Sequence, residues 1–216
     1  MDSSGSCSSG VKSEPQVPPK KPRVVLAACG CTAAVKFGLL CRCFLEWAEV
    51  RCIVTQSSLF FIDRATFPND ANAYHDEHEW YIWRGMDVEL LEWADILVIA
   101  PLSANTLAKI AGGLCDDLLT STVRAWNPMK KLVFAAPSMS PFTWKNPLTK
   151  EQCLCIVNLG ITIIQPVKRR SGAEEYETGA MAEPSDISRY VRISYENFLQ
   201  SNVGSSDSRS DFPCKN

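Results

Sequence analysis

The stretch Ile96-Leu97-Val98-Ile99-Ala100-Pro101-Leu102-Ser103-Ala104-Asn105-Thr106-Leu107-Ala108-Lys109 sets the reading of this chain. An unbroken apolar run ends in a Pro-Leu turn, and Ser103 then opens a helix. Continuous apolar residues suit a parallel strand buried on both faces. A Ser at the mouth of a helix caps its first turn and leaves backbone N–H groups pointing outward. Such a junction holds anions and polar heterocycles.

The same unit recurs on either side. Arg23 to Ala28 is a second apolar run, followed by Gly30 and a helical pattern from Ala33 to Trp47. Strands are predicted at Val50–Thr55, Ile96–Ala100, Leu132–Ala136 and Ile161–Ile164. Helices are predicted at Ser103–Ala111, stopped by Gly112-Gly113, and at Asp117–Trp126 and Pro147–Leu159. A last one runs from Ser185 to Leu199. This alternation predicts a doubly wound α/β sheet in one domain over residues 22–200. Ligands of such sheets sit at the carboxyl ends of the strands, near the point where the strand order reverses.

Bulk properties narrow the function. The chain has 216 residues, 46% hydrophobic and 21% charged, with a formal net charge of −2. That charge carries no nucleic-acid footprint. No apolar run approaches the roughly 20 residues that span a bilayer, and no secretory pattern is visible, so a cytoplasmic protein is expected. The ten Cys lie mostly in apolar runs or in Cys-x-Cys pairs, which are not zinc spacings. Reduced thiols and no metal are expected. His75 and His78 fall in an acidic segment, Tyr74 to Glu79, read as a loop. Residues 1–21 and 201–216 are rich in Ser, Gly and charge and are expected to be disordered tails.

Four strand ends carry binding chemistry. They are Gly30-Cys31-Thr32, Thr55-Gln56-Ser57-Ser58, Ser103-Ala104-Asn105-Thr106 and Pro137-Ser138-Met139-Ser140. Each alone is an ordinary turn or cap; together they outline a cofactor pocket. The G-x-G-x-x-G pattern is absent, which favours a mononucleotide over a dinucleotide.

These residues carry a resemblance. Lys21-Pro22-Arg23, Glu46-Trp47-Ala48-Glu49-Val50, Trp93-Ala94-Asp95, the block Pro101 to Asp116, Arg124-Ala125-Trp126 and Gly179-Ala180-Met181-Ala182-Glu183-Pro184 resemble the homo-oligomeric flavin-containing cysteine decarboxylases. Within them the chain is most similar to the plant phosphopantothenoylcysteine decarboxylases. The resemblance implies a trimer of flavodoxin-like subunits that bind FMN and serve coenzyme A biosynthesis. It implies oxidation of a cysteinyl thiol, loss of carbon dioxide and return of hydride. FMN contacts are implied at Gly30, Cys31, Thr32, Thr55, Ser57, Ser58, Ser103, Ala104, Asn105, Thr106 and Ser138. Met139, Ser140 and Met181 fall on the substrate side.

Three positions depart from the family pattern. Asp87 stands where the family has its catalytic His. Ser140 stands where an Asn holds the substrate carboxylate. Ala173, beside Glu174, stands where a Cys supplies a proton. No family catalytic group is therefore expected to be intact. The readings are a flavin protein with impaired or lost decarboxylation, a decarboxylase of another cysteinyl-type substrate, or a non-catalytic partner. Such a partner would join paralogous subunits in mixed trimers or bind a protein such as a phosphatase. A decaying paralogue without a selected role is the remaining alternative.

Overall fold

The computed structural model describes residues 21–63, 65–68, 71–75, 86–171 and 175–206. Six strands form a parallel sheet: β1 (Arg23–Ala28), β2 (Glu49–Val54), β3 (Asn72–His75), β4 (Ile96–Leu102), β5 (Leu132–Pro137) and β6 (Thr162–Ile163). Their spatial order is β3-β2-β1-β4-β5-β6. The chain winds outward from β1 to β3, then returns to place β4 on the other side of β1. The order reverses between β1 and β4. Without the edge strand β3, the remaining order is that of flavodoxin-like sheets.

Alternation along β1 divides the core. Val24, Leu26 and Ala28 face α1 (Phe37–Leu45) and the last helix, α7 (Pro184–Ser206), meeting Phe37, Leu40, Phe44, Ile187 and Val191. Val25 and Ala27 face the opposite layer with Leu97 and Ile99. That layer consists of α2 (Met86–Trp93), α3 (Ala104–Gly112), α4 (Leu118–Ala125) and α6 (Pro147–Asn158). It contributes Leu90, Leu107, Ile110, Leu119 and Ile156. Every residue of β4 is buried, as a strand covered on both faces requires.

The predicted helix signals act as read. Ser103 caps α3, its Oγ accepting the Thr106 N–H at 3.2 Å. Gly113 ends that helix at φ 73°, a left-handed conformation that favours glycine. Asp117 caps α4 through a reciprocal bond with Thr120.

Several expectations change. The Ala33–Trp47 helix begins as a 3-10 turn, Thr32–Lys36, before α1, because Cys31 gives no capping hydrogen bond and the first turn tightens to satisfy its own N–H groups. Tyr74 and His75 belong to a strand, not a loop; they pair with Ile53 and Val54 of β2, whose outer edge would otherwise be open. The helix expected to stop at Leu199 runs to Ser206, so residues 201–206 continue α7. Elements without a strong periodic signal also form. These are α2, the short α5 (Pro141–Lys145) and an antiparallel hairpin of β7 (Val167–Ser171) and β8 (Glu175–Ala180). His78, Ala173, Glu174 and the tails 1–20 and 207–216 lie outside the described residues.

Stability should track the α3 junction. Ser103→Ala is expected to lower the unfolding free energy by about 1 kcal/mol through loss of the cap. Leu107→Ala, which empties a fully buried site, should cost about 2–5 kcal/mol. Denaturant titration of the purified variants reads both.

Candidate functional site

The carboxyl ends of the central strands are tied to one another by backbone hydrogen bonds. Cys29 N–H donates to Pro101 O at 3.1 Å, Thr55 N–H to Ala28 O at 3.1 Å, and Ser138 N–H to Leu102 O at 2.9 Å. The four predicted loops therefore form one row along the top of the sheet. Gly30 passes so close to Ser57 that a Cβ there would stand 2.3 Å from Ser57 Oγ. No side chain fits without displacing the β2 turn.

That turn is ordered by its own hydroxyls. Ser58 Oγ donates to Thr55 O at 2.7 Å, and Thr55 Oγ1 and Ser57 Oγ lie 3.2 Å apart. At the α3 entrance Ser103 Oγ also donates to Thr106 Oγ1 at 3.2 Å. Both hydroxyls are buried and engaged, while Asn105 is exposed. Cys29 is buried beneath this junction. Burial pushes its thiol up to about 12, and hydrogen bonds with the Thr106 side chain and the Ser103 backbone offset only part of that rise. Cys29 is thus a neutral thiol, not a nucleophile.

A cavity of about 590 Å³ opens beside the β1 loop. Cys31, Thr32 and Lys36 form one wall, with Val35 and Phe61 supplying apolar surface. Ser138, Met139 and Ser140 form the second, and Gly179, Ala180 and Met181 the third. The second and third walls meet at Gly179. Its φ of 138° lies in the region that favours glycine, and an added Cβ would stand 2.7 Å from Met139 O. Met139 N–H donates to Gly179 O at 3.0 Å. The first and third are joined by Lys36, whose Nζ donates to both Glu183 carboxylate oxygens at 2.7 and 2.6 Å.

Ser140 is not a free hydroxyl. It caps α5, its Oγ accepting the Thr143 N–H at 3.2 Å and lying 2.8 Å from Thr143 Oγ1.

Of the expected site residues, the cavity gathers Cys31, Thr32, Ser138, Met139, Ser140 and Met181. Gly30, Thr55, Ser57, Ser58, Ser103, Ala104, Asn105 and Thr106 stand at the neighbouring strand ends and do not line it. Asp87 lies in the first turn of α2. Lys36, Phe61 and Gly179 were not anticipated. The spacing of Lys36 four residues after Thr32 was the available signal for the first. Among the described residues no cluster of three His, Cys, Asp or Glu could hold a metal ion. Nor is any helix there long and apolar enough to cross a membrane.

Comparison with known proteins adds to this geometry. The Flavoprotein family pattern matches residues 12–195. The chain belongs to the Flavoprotein family. It is 52% identical over 191 residues to phosphopantothenoylcysteine decarboxylase of Arabidopsis thaliana, a match covering 86% of this chain and 91% of that protein. A solved structure described as the FMN binding protein AtHal3 is 53% identical with a TM-score of 0.77, covering 82% of this chain and 98% of the other. A cysteine-to-serine mutant of PPC decarboxylase complexed with pantothenoylaminoethenethiol has the same identity and TM-score and is covered completely. The flavodoxin-like sheet is thus the fold of this branch of the Flavoprotein family.

The buried thiol gives a pH signature. Cys29 ionises more easily unfolded, near the ordinary 9.0, than folded, near about 12. Alkali therefore favours the unfolded chain. The Cys29 contribution should be constant below pH 9.0 and reduce stability progressively toward pH 12. Cys29→Ala should flatten part of this alkaline limb in Tm measured against pH. Burial raises Cys52 as well, so some slope remains.

Proposed function

We propose that this protein is a phosphopantothenoylcysteine decarboxylase-like flavoprotein that holds FMN but has impaired or lost decarboxylation. Its Flavoprotein membership and its 53% identity to a protein described as FMN-binding support the cofactor. The residues present fit FMN. The cavity opens beside the crevice where the strand order reverses, the place where doubly wound sheets bind mononucleotides. Its volume of about 590 Å³ falls within the roughly 300–1,000 Å³ of small-molecule pockets. Thr32, Ser138 and the β1-loop backbone supply hydrogen-bond donors and Phe61 an aromatic wall.

Bound across this cavity and the neighbouring strand ends, FMN would supply a two-electron acceptor. Gly30, Cys31 and Thr32, with the Thr55–Ser58 turn, would hold its phosphate. Ser103, Ala104, Asn105, Thr106 and Ser138 would hold the ribityl chain and ring. Met139, Ser140 and Met181 would face the substrate.

Ser140 carries the case for lost chemistry. Its hydroxyl is engaged in the α5 cap with Thr143. A short hydroxyl in that role cannot also present the paired donors and acceptor of an amide to a carboxylate. Asp87 and Ala173 compound the loss by the same residue chemistry: a carboxylate ionised at neutral pH donates no proton, and a methyl group has none to give.

The cavity rim favours assembly with a further subunit, a second copy or a paralogue. Phe60 and Phe142, next in sequence to the lining residues Phe61 and Pro141, are 85% and 84% exposed, and Val35 in the lining is exposed as well. Apolar side chains on the mouth of a pocket suit burial by another subunit. In a mixed assembly this chain would add flavin-holding surface without catalytic groups.

Purified protein should be yellow and release no carbon dioxide from 4′-phosphopantothenoylcysteine. The triple variant Asp87→His/Ser140→Asn/Ala173→Cys should gain turnover, since each proton-transfer group contributes roughly 10²–10⁴-fold. Brisk turnover by the unaltered protein would refute lost chemistry. A colourless preparation that takes up no added FMN would refute the cofactor assignment.

A further inference from the structure

A second cavity, of about 1000 Å³, lies between α5, α6 and the outer edge of β6. We propose that it docks an extended, acidic segment of a partner protein as an added strand of the sheet.

The first observation is the backbone. β6 pairs with β5 on one side only. Ile164 N–H faces inward, donating to Ala135 O at 2.8 Å. Strand alternation then turns the peptide groups of Ile163 and Gln165 outward, along the cavity. Outward N–H and C=O groups form a template for one more strand. β6 itself has only two residues. A short edge discourages indiscriminate pairing, so selection must come from the side chains beside it.

Those side chains are specific in kind. Leu154 and Val157 on the exposed face of α6 are 54% and 47% accessible, and with Trp144 and Ile163 they make an apolar wall beside the edge. Alternate side chains of an added strand would rest on this wall, spaced as a strand's own period requires.

Charge selects the occupant. Lys150 lines the cavity and is exposed, and among the described residues no Asp or Glu lines it. A segment that alternates apolar residues with Asp or Glu suits the edge, the wall and Lys150 together. A basic segment would meet like charge. The groove shares no lining residue with the cavity assigned to FMN, so occupancy does not depend on that assignment.

The test uses the full-length protein against a displayed library of short random peptides. Enriched sequences should alternate apolar and acidic residues. The most enriched peptide, synthesised with a fluorophore, should bind about tenfold or more weakly to Lys150→Glu and to Leu154→Asp, as expected for anchors of an interface. Both positions are exposed, and unchanged Tm verifies that the variants fold. Added salt should weaken binding to the unaltered protein. No enrichment, enrichment of basic peptides, or affinity indifferent to both substitutions would overturn the proposal. Light scattering supplies a further outcome. If Leu154→Asp reduces the assembly to a smaller mass, a second copy of this chain occupies the groove and the proposal fails.

Discussion

The whole arrangement depends on two neighbouring strands, β1 and β4, that are dry on both faces. Nearly every residue from Val24 to Ala28 and all of Ile96–Leu102 are buried. Burial of an unpaired polar group costs free energy, so polar side chains are excluded from these strands and collect where they end. The chain diverges from this pair in opposite directions, which leaves a crevice between their loops. Cys29, Ser103 and Thr106 are drawn together at its floor, and the cavity lined by Cys31 and Ser138 opens beside it.

The scaffold and the chemistry of this protein are separable in sequence. The block Pro101 to Asp116 carries much of the likeness to the flavin-dependent decarboxylases, and its visible work is structural. Ser103 and Gly113 delimit α3. Lys109 binds Asp116 and Asp117 at 2.9 and 3.0 Å, fastening α3 to the start of α4. The lysine holds the Asp116 carboxyl below its usual range. Such residues persist as long as the sheet and its helices persist. Ser140 answers to a different constraint. It still begins a helix, which any good capping residue can do, and so the position can change without disturbing the fold.

Much of this was legible beforehand, and the limits have physical causes. β1 was read with its observed ends because a doubly covered strand needs an uninterrupted apolar run. The bounds of α3 followed from a capping Ser and a glycine stop. By contrast, Asn72–His75 has no apolar run and becomes a strand only because β2 offers its edge. The β7–β8 hairpin is rich in charge, so its sequence carries no apolar period, and it is joined by antiparallel pairing. The polar strand ends gather at one end of the sheet, and six of the expected residues line the cavity there. They did not reveal Lys36, whose place depends on an ion pair with Glu183, 147 positions away.

That last contact has a meaning for biogenesis. Lys36 belongs to the first quarter of the folded chain and Glu183 stands just before the last helix, yet they close one arch over the same hollow. Being partly exposed, the pair adds little to global stability. A nascent polypeptide emerging from the ribosome can complete the β1 loop early, but the hollow acquires its third wall only when the C-terminal quarter has been synthesised and docked. The hollow is therefore a property of the finished molecule, closed only when both ends of the chain have come together.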